Sequence, residues 1–183
     1  VIQLGVNHNL FTPPDNKNKI REKIISKFEI PTKNYFVHIS ETNYARKNIF
    51  RLLGAFEDAR KKGIPQKLVL IGNLHKEVKD RLKNYPNVLS LGYVSDADLV
   101  ELIQGSDALV LPSIHEGFGI PLIESMACGV PCITSDRHTP PEVVGDAGLL
   151  VDPYDVSDIA NKMIEISDVD TLQTLSKRAL QKS

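Results

Sequence analysis

The sequence predicts an α/β protein: a doubly wound, Rossmann-like parallel sheet with helices on both faces. Short apolar runs alternate regularly with segments of helical periodicity along the 183 residues, an order typical of a parallel sheet. The runs are apolar at successive positions, as expected of strands that are buried on both faces. Six strands are predicted, at residues 35–40, 67–71, 88–91, 108–111, 130–134 and 148–151.

Helical segments are predicted between and after these strands. Apolar residues recur at helical spacing from Ile49 to Ala59. Ser95, with Asp98 three residues later, resembles a capping box, and Asp155 is placed to cap a later helix. Further helices are predicted at residues 20–28, 77–83 and 121–127, with a last one from about residue 169.

Composition and charge exclude several classes of function. With 22 basic and 23 acidic residues the formal net charge is -1, so nucleic-acid binding is not expected. No apolar run approaches the ~20 residues that span a bilayer, and no signal peptide is recognisable. Cys128 and Cys132 are too few for a disulfide framework and have no histidine cluster nearby, so we expect buried, reduced thiols, which favour a cytoplasmic protein.

The segment 111–131, LPSIHEGFGIPLIESMACGVP, is the most informative part of the sequence. In a parallel sheet, ligands bind beyond the carboxyl ends of the strands, so function is expected in the loops after residues 40, 72, 92, 111 and 134. The segment follows the strand predicted at residues 108–111 and begins a helix. Pro121 lies near the first turn of this helix, a position that suits proline. The exposed N–H groups of the loop and helix N-terminus form a natural anion site, and they belong to Gly117, Phe118, Gly119 and Ile120.

Two carboxylates bracket this anion site. Glu116 directly precedes the glycines, and Glu124 lies in the first turns of the helix. Carboxylates accept hydrogen bonds from hydroxyl groups, so a polyhydroxylated ligand with an anionic centre matches this order. A nucleotide-sugar has that layout, with a sugar, a diphosphate and a ribose. Considered alone, Glu124 is also explained as an ordinary first-turn acid that is stabilised by the helix dipole.

The whole stretch 116–131, EGFGIPLIESMACGVP, resembles the family-four retaining glycosyltransferases of the GT-B fold. Its two glutamates are separated by seven residues, and Gly129, Val130 and Pro131 follow. The likeness continues in order with GVN (5–7), RKN (46–48), LGYV (91–94), PEVVG (141–145) and DAGLLVDP (146–153). The resemblance implies that residues 1–183 are the C-terminal, nucleotide-sugar-binding domain of such an enzyme. Both ends of the chain look cut, so we expect a fragment that lacks the N-terminal acceptor domain.

The resemblance also implies a role for each matching residue. Glu116 corresponds to the catalytic glutamate that contacts donor-sugar hydroxyls at the reacting centre, and Glu124 to the one that binds the ribose hydroxyls. Lys47 corresponds to the lysine on the diphosphate, and Val94 lies where the base stacks or hydrogen-bonds through the backbone. The N–H groups of residues 117–120 approach the sugar and the diphosphate. No metal and no cofactor are implied, because amides and Lys47 hold the diphosphate.

One departure from the family concerns the second cation on the diphosphate. Many members carry an arginine five or six residues before the lysine, where this sequence has Glu41 and Thr42. Ser40 or Thr42 is a candidate hydroxyl donor in its place. Arg46 is adjacent to Lys47 but is expected to point elsewhere on a regular backbone.

The remaining histidines give weaker signals. His138 lies in the loop after the strand at 130–134 and is a candidate for the donor pocket, although a locally hydrogen-bonded loop histidine is the favoured interpretation. His8, His38 and His75 show no ligand spacing with one another or with the cysteines, so no metal site is predicted.

The resulting hypothesis is a glycosyltransferase that moves a hexose from a nucleotide diphosphate donor to an acceptor hydroxyl with retention of configuration. The resemblance makes GDP-mannose the first choice of donor, with UDP-sugars close behind, and leaves the saccharide or lipid-linked acceptor to the missing domain. It allows peripheral association of the full-length protein with the inner face of the membrane. Two alternatives remain open: a sugar-nucleotide epimerase of the same fold, and a non-catalytic module that senses a nucleotide-sugar.

Overall fold

The computed structural model describes residues 5–40 and 45–183, and this part of the chain folds around one six-stranded sheet. All five pairings between neighbouring strands are parallel, in the order β3-β2-β1-β4-β5-β6. The predicted doubly wound fold is therefore confirmed. The strands are β1 (Tyr35–Ile39), β2 (Lys67–Ile71), β3 (Val88–Gly92), β4 (Ala108–Leu111), β5 (Cys132–Ser135) and β6 (Gly148–Val151).

Helices connect the strands and cover both faces of the sheet. The predicted helices are present, whereas α6, in the PEVVG motif, was not predicted because five residues that begin with two prolines are too short for a periodic pattern. A 3-10 turn, Gly145–Ala147, follows it. The helices are α1 (Lys17–Phe28), α2 (Ile49–Lys61), α3 (Lys76–Leu82), α4 (Asp96–Gly105), α5 (Ile120–Ala127), α6 (Pro140–Val144), α7 (Val156–Ser167) and α8 (Val169–Lys182).

Two apolar clusters lie on opposite faces of the sheet. Successive residues of β1 alternate between them: Phe36 packs with α2 and α7, while Tyr35 and Val37 pack on the other side with residues of α4 and α5. This alternation follows from the pleat, which directs neighbouring side chains to opposite faces. Because both faces are covered, the inner strands β1, β2 and β4 are mainly apolar, and this is the pattern that the sequence displays.

The predicted helix caps and thiols are also confirmed. The Ser95 hydroxyl accepts a hydrogen bond from the Asp98 amide at 3.2 Å, and the Asp155 carboxylate caps α7. Cys128 and Cys132 are free and buried, and burial raises the pKa of each thiol to about 12. Within residues 5–40 and 45–183 no helix is long and apolar enough to cross a bilayer.

The strand order locates the crevice where a ligand is expected. The chain builds the sheet outward from β1 to β3, then returns to the other side of β1 and continues from β4 to β6. The loops after β1 and β4 therefore leave the sheet in opposite directions, and the gap between them is the topological switch point. Gly72 tightens the neighbouring loop: its φ is +109°, and a Cβ there would lie 2.2 Å from the carbonyl oxygen of Ser40.

Candidate functional site

Asn48 joins three loops at the carboxyl edge of the sheet. Its backbone adopts the left-handed conformation, with φ 59° and ψ 33°, and its Nδ2 donates to the carbonyl oxygens of Pro112 at 3.0 Å and Pro153 at 2.6 Å. The Ile114 amide donates in turn to the Arg46 carbonyl at 2.9 Å. The loops after β1, β4 and β6 are thus held together by side-chain and backbone hydrogen bonds.

A buried ion pair spans the switch point. Lys47 Nζ lies 2.9 Å from Glu116 Oε2, and the two side chains are only 2% and 10% exposed. Arg46 Nη1 approaches the other carboxylate oxygen at 3.9 Å. The expectation that Arg46 points elsewhere is therefore wrong, because the left-handed residue Asn48 ends a turn that is not regular backbone. Lys47 and Glu116, expected to contact different parts of a ligand, contact each other.

The glycine-rich loop contains several backbone donors without an acceptor among the described residues. Helix α5 begins at Ile120, and Gly119 before it has φ 80°; a Cβ there would come within 2.8 Å of Leu122 Cδ1, so this position requires glycine. At Gly117 φ is not in the left-handed range, and a Cβ would meet open space. Within the described chain, the N–H groups of Gly117, Phe118, Gly119 and Ile120 donate to no acceptor.

Glu124 lies outside the ion pair, toward the β3 side of the crevice. It is half-buried on α5, and burial raises the pKa of its carboxyl, with a smaller contribution from the charge of Asp96. Asp96 opens α4 directly after the loop that contains Val94. The Val94 side chain is partly buried against the core. Glu116 and Glu124 therefore have different surroundings, one ion-paired at the switch point and the other near the loop after β3.

Two of the weaker candidates, Ser40 and His138, lie in the described part of this edge. Ser40 is buried at the end of β1, and its amide donates to the Ile71 carbonyl at 2.7 Å. Thr42 lies outside the described residues. His138 has a φ of 62°, and its ring meets that of His115 edge-on, with 4.6 Å between centroids. His138 therefore lies beside the loop that contains Glu116.

Metal-ligating clusters and cavities are the remaining features of the described chain that bear on a ligand site. Residues 5–40 and 45–183 contain no group of three or more metal-ligating side chains. A cavity of about 550 Å³ lies beside the glycine-rich loop and is lined by Phe118, Ile123 and Glu142 among others. A larger cavity, of about 820 Å³, is formed by the start of α1 and the loop before it, and it contains none of the predicted site residues.

Sequence reasoning missed two residues at this edge. Asn48 belongs to the RKN motif, but the bonds by which it joins the three loops depend on tertiary structure. Tyr154 was not considered; it is half exposed after β6, and the guanidinium groups of Arg51 and Arg137 lie 5.2 and 5.3 Å from its ring centroid. The DAGLLVDP motif ends immediately before Tyr154, so its position offered a signal.

Comparisons with known proteins match this architecture. The sequence profile of the family described as "Glycosyl transferases group 1" matches residues 20–182. The O-antigen chain mannosyltransferase B of Escherichia coli is 35% identical over 152 residues, which cover 78% of this chain and 39% of that protein. The chain thus spans well under half the length of this relative.

Two solved structures share the fold. The C-terminal domain of a glycosyl transferase group 1 family protein from Francisella tularensis is 25% identical, with a TM-score of 0.81 over 97% of this chain and 95% of that one. The Anabaena protein HepE, solved in complex with UDP-glucose, is 21% identical, with a TM-score of 0.78 over 97% of this chain and 50% of that one. With the family profile extending across nearly all the chain, this protein belongs to the group 1 glycosyl transferases.

Proposed function

We propose that this chain is the donor-binding domain of a retaining hexosyltransferase, and that its donor is a nucleoside diphosphate sugar. The observation that carries the proposal is the meeting, at the β1–β4 switch point, of a lysine, an arginine and a carboxylate with a glycine-rich loop of unpaired N–H groups. Cations and amides bind a diphosphate, and carboxylates bind sugar hydroxyls.

The order of these groups matches the order of parts in such a donor. Glu116 would meet the sugar, the N–H groups of residues 117–120 and Lys47 would hold the diphosphate, and Glu124 would accept from the ribose hydroxyls. Glu124 lies toward the loop after β3, where Val94 would contact the base, and this direction supports the assignment.

The chemistry follows from charge development in the transition state. Breaking the glycosidic bond places negative charge on the nucleoside diphosphate and positive charge on the sugar ring. Lys47, Arg46 and the amides would stabilise the leaving group. Transfer on the donor's front face, with the leaving phosphate helping to deprotonate the acceptor hydroxyl, would retain configuration. Lys47 and the amides carry the diphosphate in this proposal, which requires no metal.

GDP-mannose is the proposed donor, with UDP-sugars as the second choice. The similarity to the mannosyltransferase of Escherichia coli supports mannose as the sugar. The similarity to HepE, which was solved with UDP-glucose, supports a UDP-sugar as the alternative donor. The acceptor, a saccharide or a lipid-linked saccharide, would bind mainly to an N-terminal domain. We place the enzyme in the cytoplasm, with peripheral association at the inner face of the membrane.

Calorimetric titration of GDP, UDP, GDP-mannose and UDP-glucose into residues 1–183 tests donor binding. We expect binding of one nucleoside diphosphate, weakened but still measurable in Lys47→Met and unchanged in Glu22→Gln, which replaces an exposed carboxylate on α1. The fragment alone should turn over little or no donor. Binding of neither GDP nor UDP would contradict the proposal.

Turnover by the full-length protein separates the enzyme from its alternatives. A transferase should lose turnover in Glu116→Ala while still binding the nucleoside diphosphate. An epimerised sugar-nucleotide among the products would favour the epimerase, and binding without turnover of any donor would favour the sensing module.

A further inference from the structure

His38 is a buried polar side chain in the central strand of the sheet, and none of the roles assigned above uses it. It is 0% exposed, on β1, opposite Leu70 of β2. The other residues of β1 are Tyr35, Phe36, Val37 and Ile39. An imidazole at such a position costs desolvation free energy unless its nitrogens find partners.

The hydrogen bond of His38 fixes its tautomer. Nδ1 lies 2.8 Å from the carbonyl oxygen of Val110, and since a carbonyl oxygen only accepts, Nδ1 carries the proton. The pKa of His38 is lowered to about 4, chiefly by burial, so the ring is neutral near pH 7. Nε2 is therefore a bare lone pair, and among residues 5–40 and 45–183 it has no hydrogen-bond partner.

The ring and the ion pair lie along the same stretch of chain at the end of β4. His38 bonds to the Val110 carbonyl, and Asn48, the residue after Lys47, bonds to the Pro112 carbonyl two residues further on. The charge of Lys47 lowers the pKa of His38 and that of Glu116 raises it, as contributions smaller than burial and the Val110 bond. Lys47 has three N–H donors, and its bond to Glu116 uses one of them. At 2% exposure the ammonium has little access to bulk water, so a buried acceptor nearby is a suitable second partner.

We propose that His38 is a positioning residue for Lys47: when a donor diphosphate occupies the crevice, His38 Nε2 accepts a hydrogen bond from the Lys47 ammonium. This inference rests on the proposed function. The diphosphate competes with Glu116 for Lys47, which frees the carboxylate for the sugar hydroxyls. Rotation of the flexible lysine stem then leaves the ammonium between the diphosphate and the imidazole, held by an acceptor that carries no charge.

Two substitutions separate this role from a purely structural one. In His38→Asn the amide N–H replaces Nδ1–H and keeps the Val110 bond, but no acceptor remains at the Nε2 position. In His38→Gln the longer side chain places an amide oxygen near the Nε2 position and gives up the Val110 bond. If His38 has only a structural role, His38→Asn should be milder than His38→Gln for both stability and diphosphate binding. The positioning role predicts a crossover: Asn is milder for stability, and Gln is milder for diphosphate binding.

The experiment is a calorimetric titration of GDP and UDP into the 183-residue chain and its variants. We expect His38→Asn to weaken binding about five- to twentyfold, and His38→Gln to stay within about threefold of the unsubstituted chain. In a Lys47→Met background, His38→Asn should cause no further loss, because the lysine through which His38 acts is gone. An equal loss in both backgrounds, or no loss in His38→Asn, would overturn the inference.

A measurement on the unsubstituted chain makes the test independent of variant folding. The ring ¹⁵N resonance of His38 Nε2 should move toward the hydrogen-bonded range when GDP or UDP is added, while Nδ1 stays protonated. An unchanged Nε2 resonance at saturation overturns the inference and leaves the proposed function intact. Absence of binding by either nucleotide overturns both.

Discussion

Replacing Lys47 with Met tests the buried ion pair while keeping most of the hydrophobic stem. Removal of one partner from a buried pair typically costs 3–5 kcal/mol, because the other charge is left uncompensated. Here Arg46 remains 3.9 Å from Glu116, and the Glu116 side chain is 10% exposed. We therefore expect a loss of about 2–3 kcal/mol in the free energy of unfolding, which lowers the Tm of a chain of this size by about 5–10 °C.

Urea denaturation at pH 7, followed by circular dichroism, measures this loss. Lys61→Met is a matched control: Lys61 lies 2.9 Å from Asp58, the same separation as in the buried pair, but its side chain is 73% exposed, so the cost should stay below about 1 kcal/mol. Adding Glu116→Gln to Lys47→Met should recover at least half of the loss. A stabilising buried ion pair is ruled out if Lys47→Met costs no more than Lys61→Met, or if the double variant is as unstable as the two single losses added together.

Three further predictions concern the loops and the buried histidine. Asn48→Gly keeps the left-handed backbone but removes three side-chain hydrogen bonds, two donated to carbonyl oxygens and one accepted from Arg51, so urea titration should show a loss of about 2–3 kcal/mol. Asn48→Ala should lose about 1 kcal/mol more, and equal losses would contradict the backbone argument. In calorimetry, Glu124→Ala should weaken GDP or UDP binding about tenfold or more and leave pyrophosphate binding unchanged, since pyrophosphate has no ribose. Equal losses of affinity for the nucleotide and for pyrophosphate would argue against a ribose contact. The pKa of His38 falls from 6.5 in the unfolded chain to about 4 in the folded chain, so protonation favours the unfolded state once the pH drops below 6.5. The free energy of unfolding should therefore decrease by about 3 kcal/mol as the pH falls from 6.5 to 4. His38→Asn should lack this part of the pH dependence in urea titrations between pH 4 and 8.

The fold was predictable because its physical cause is local. Strands buried on both faces must be apolar at successive positions, and β2 and β4 show this directly in residues 68–71 and 108–111. Caps such as Ser95 use hydrogen bonds three residues apart, which are visible in sequence. Helix α6 escaped prediction because five residues cannot display a helical period.

The site was predictable in outline only. A parallel sheet brings its loops to one edge, so the order of the motifs placed Lys47 and Glu116 at the same crevice. The pairing of their charges was not predictable, since it depends on the left-handed turn at Asn48 and on bonds to loops more than 60 residues away. His38 shows no ligand spacing in the sequence, and its bond to Val110 is a tertiary contact between strands 72 residues apart.

Mapping the backbone amides that meet the nucleotide is the most direct test that the glycine-rich loop binds the donor. A ¹H–¹⁵N spectrum of the uniformly labelled chain, titrated with GDP and then UDP, reports which backbone N–H groups meet the nucleotide. We expect the largest shifts at residues 117–120, with smaller ones near Lys47 and Val94. Saturable shifts confined to another region, such as the cavity at the start of α1, would contradict it.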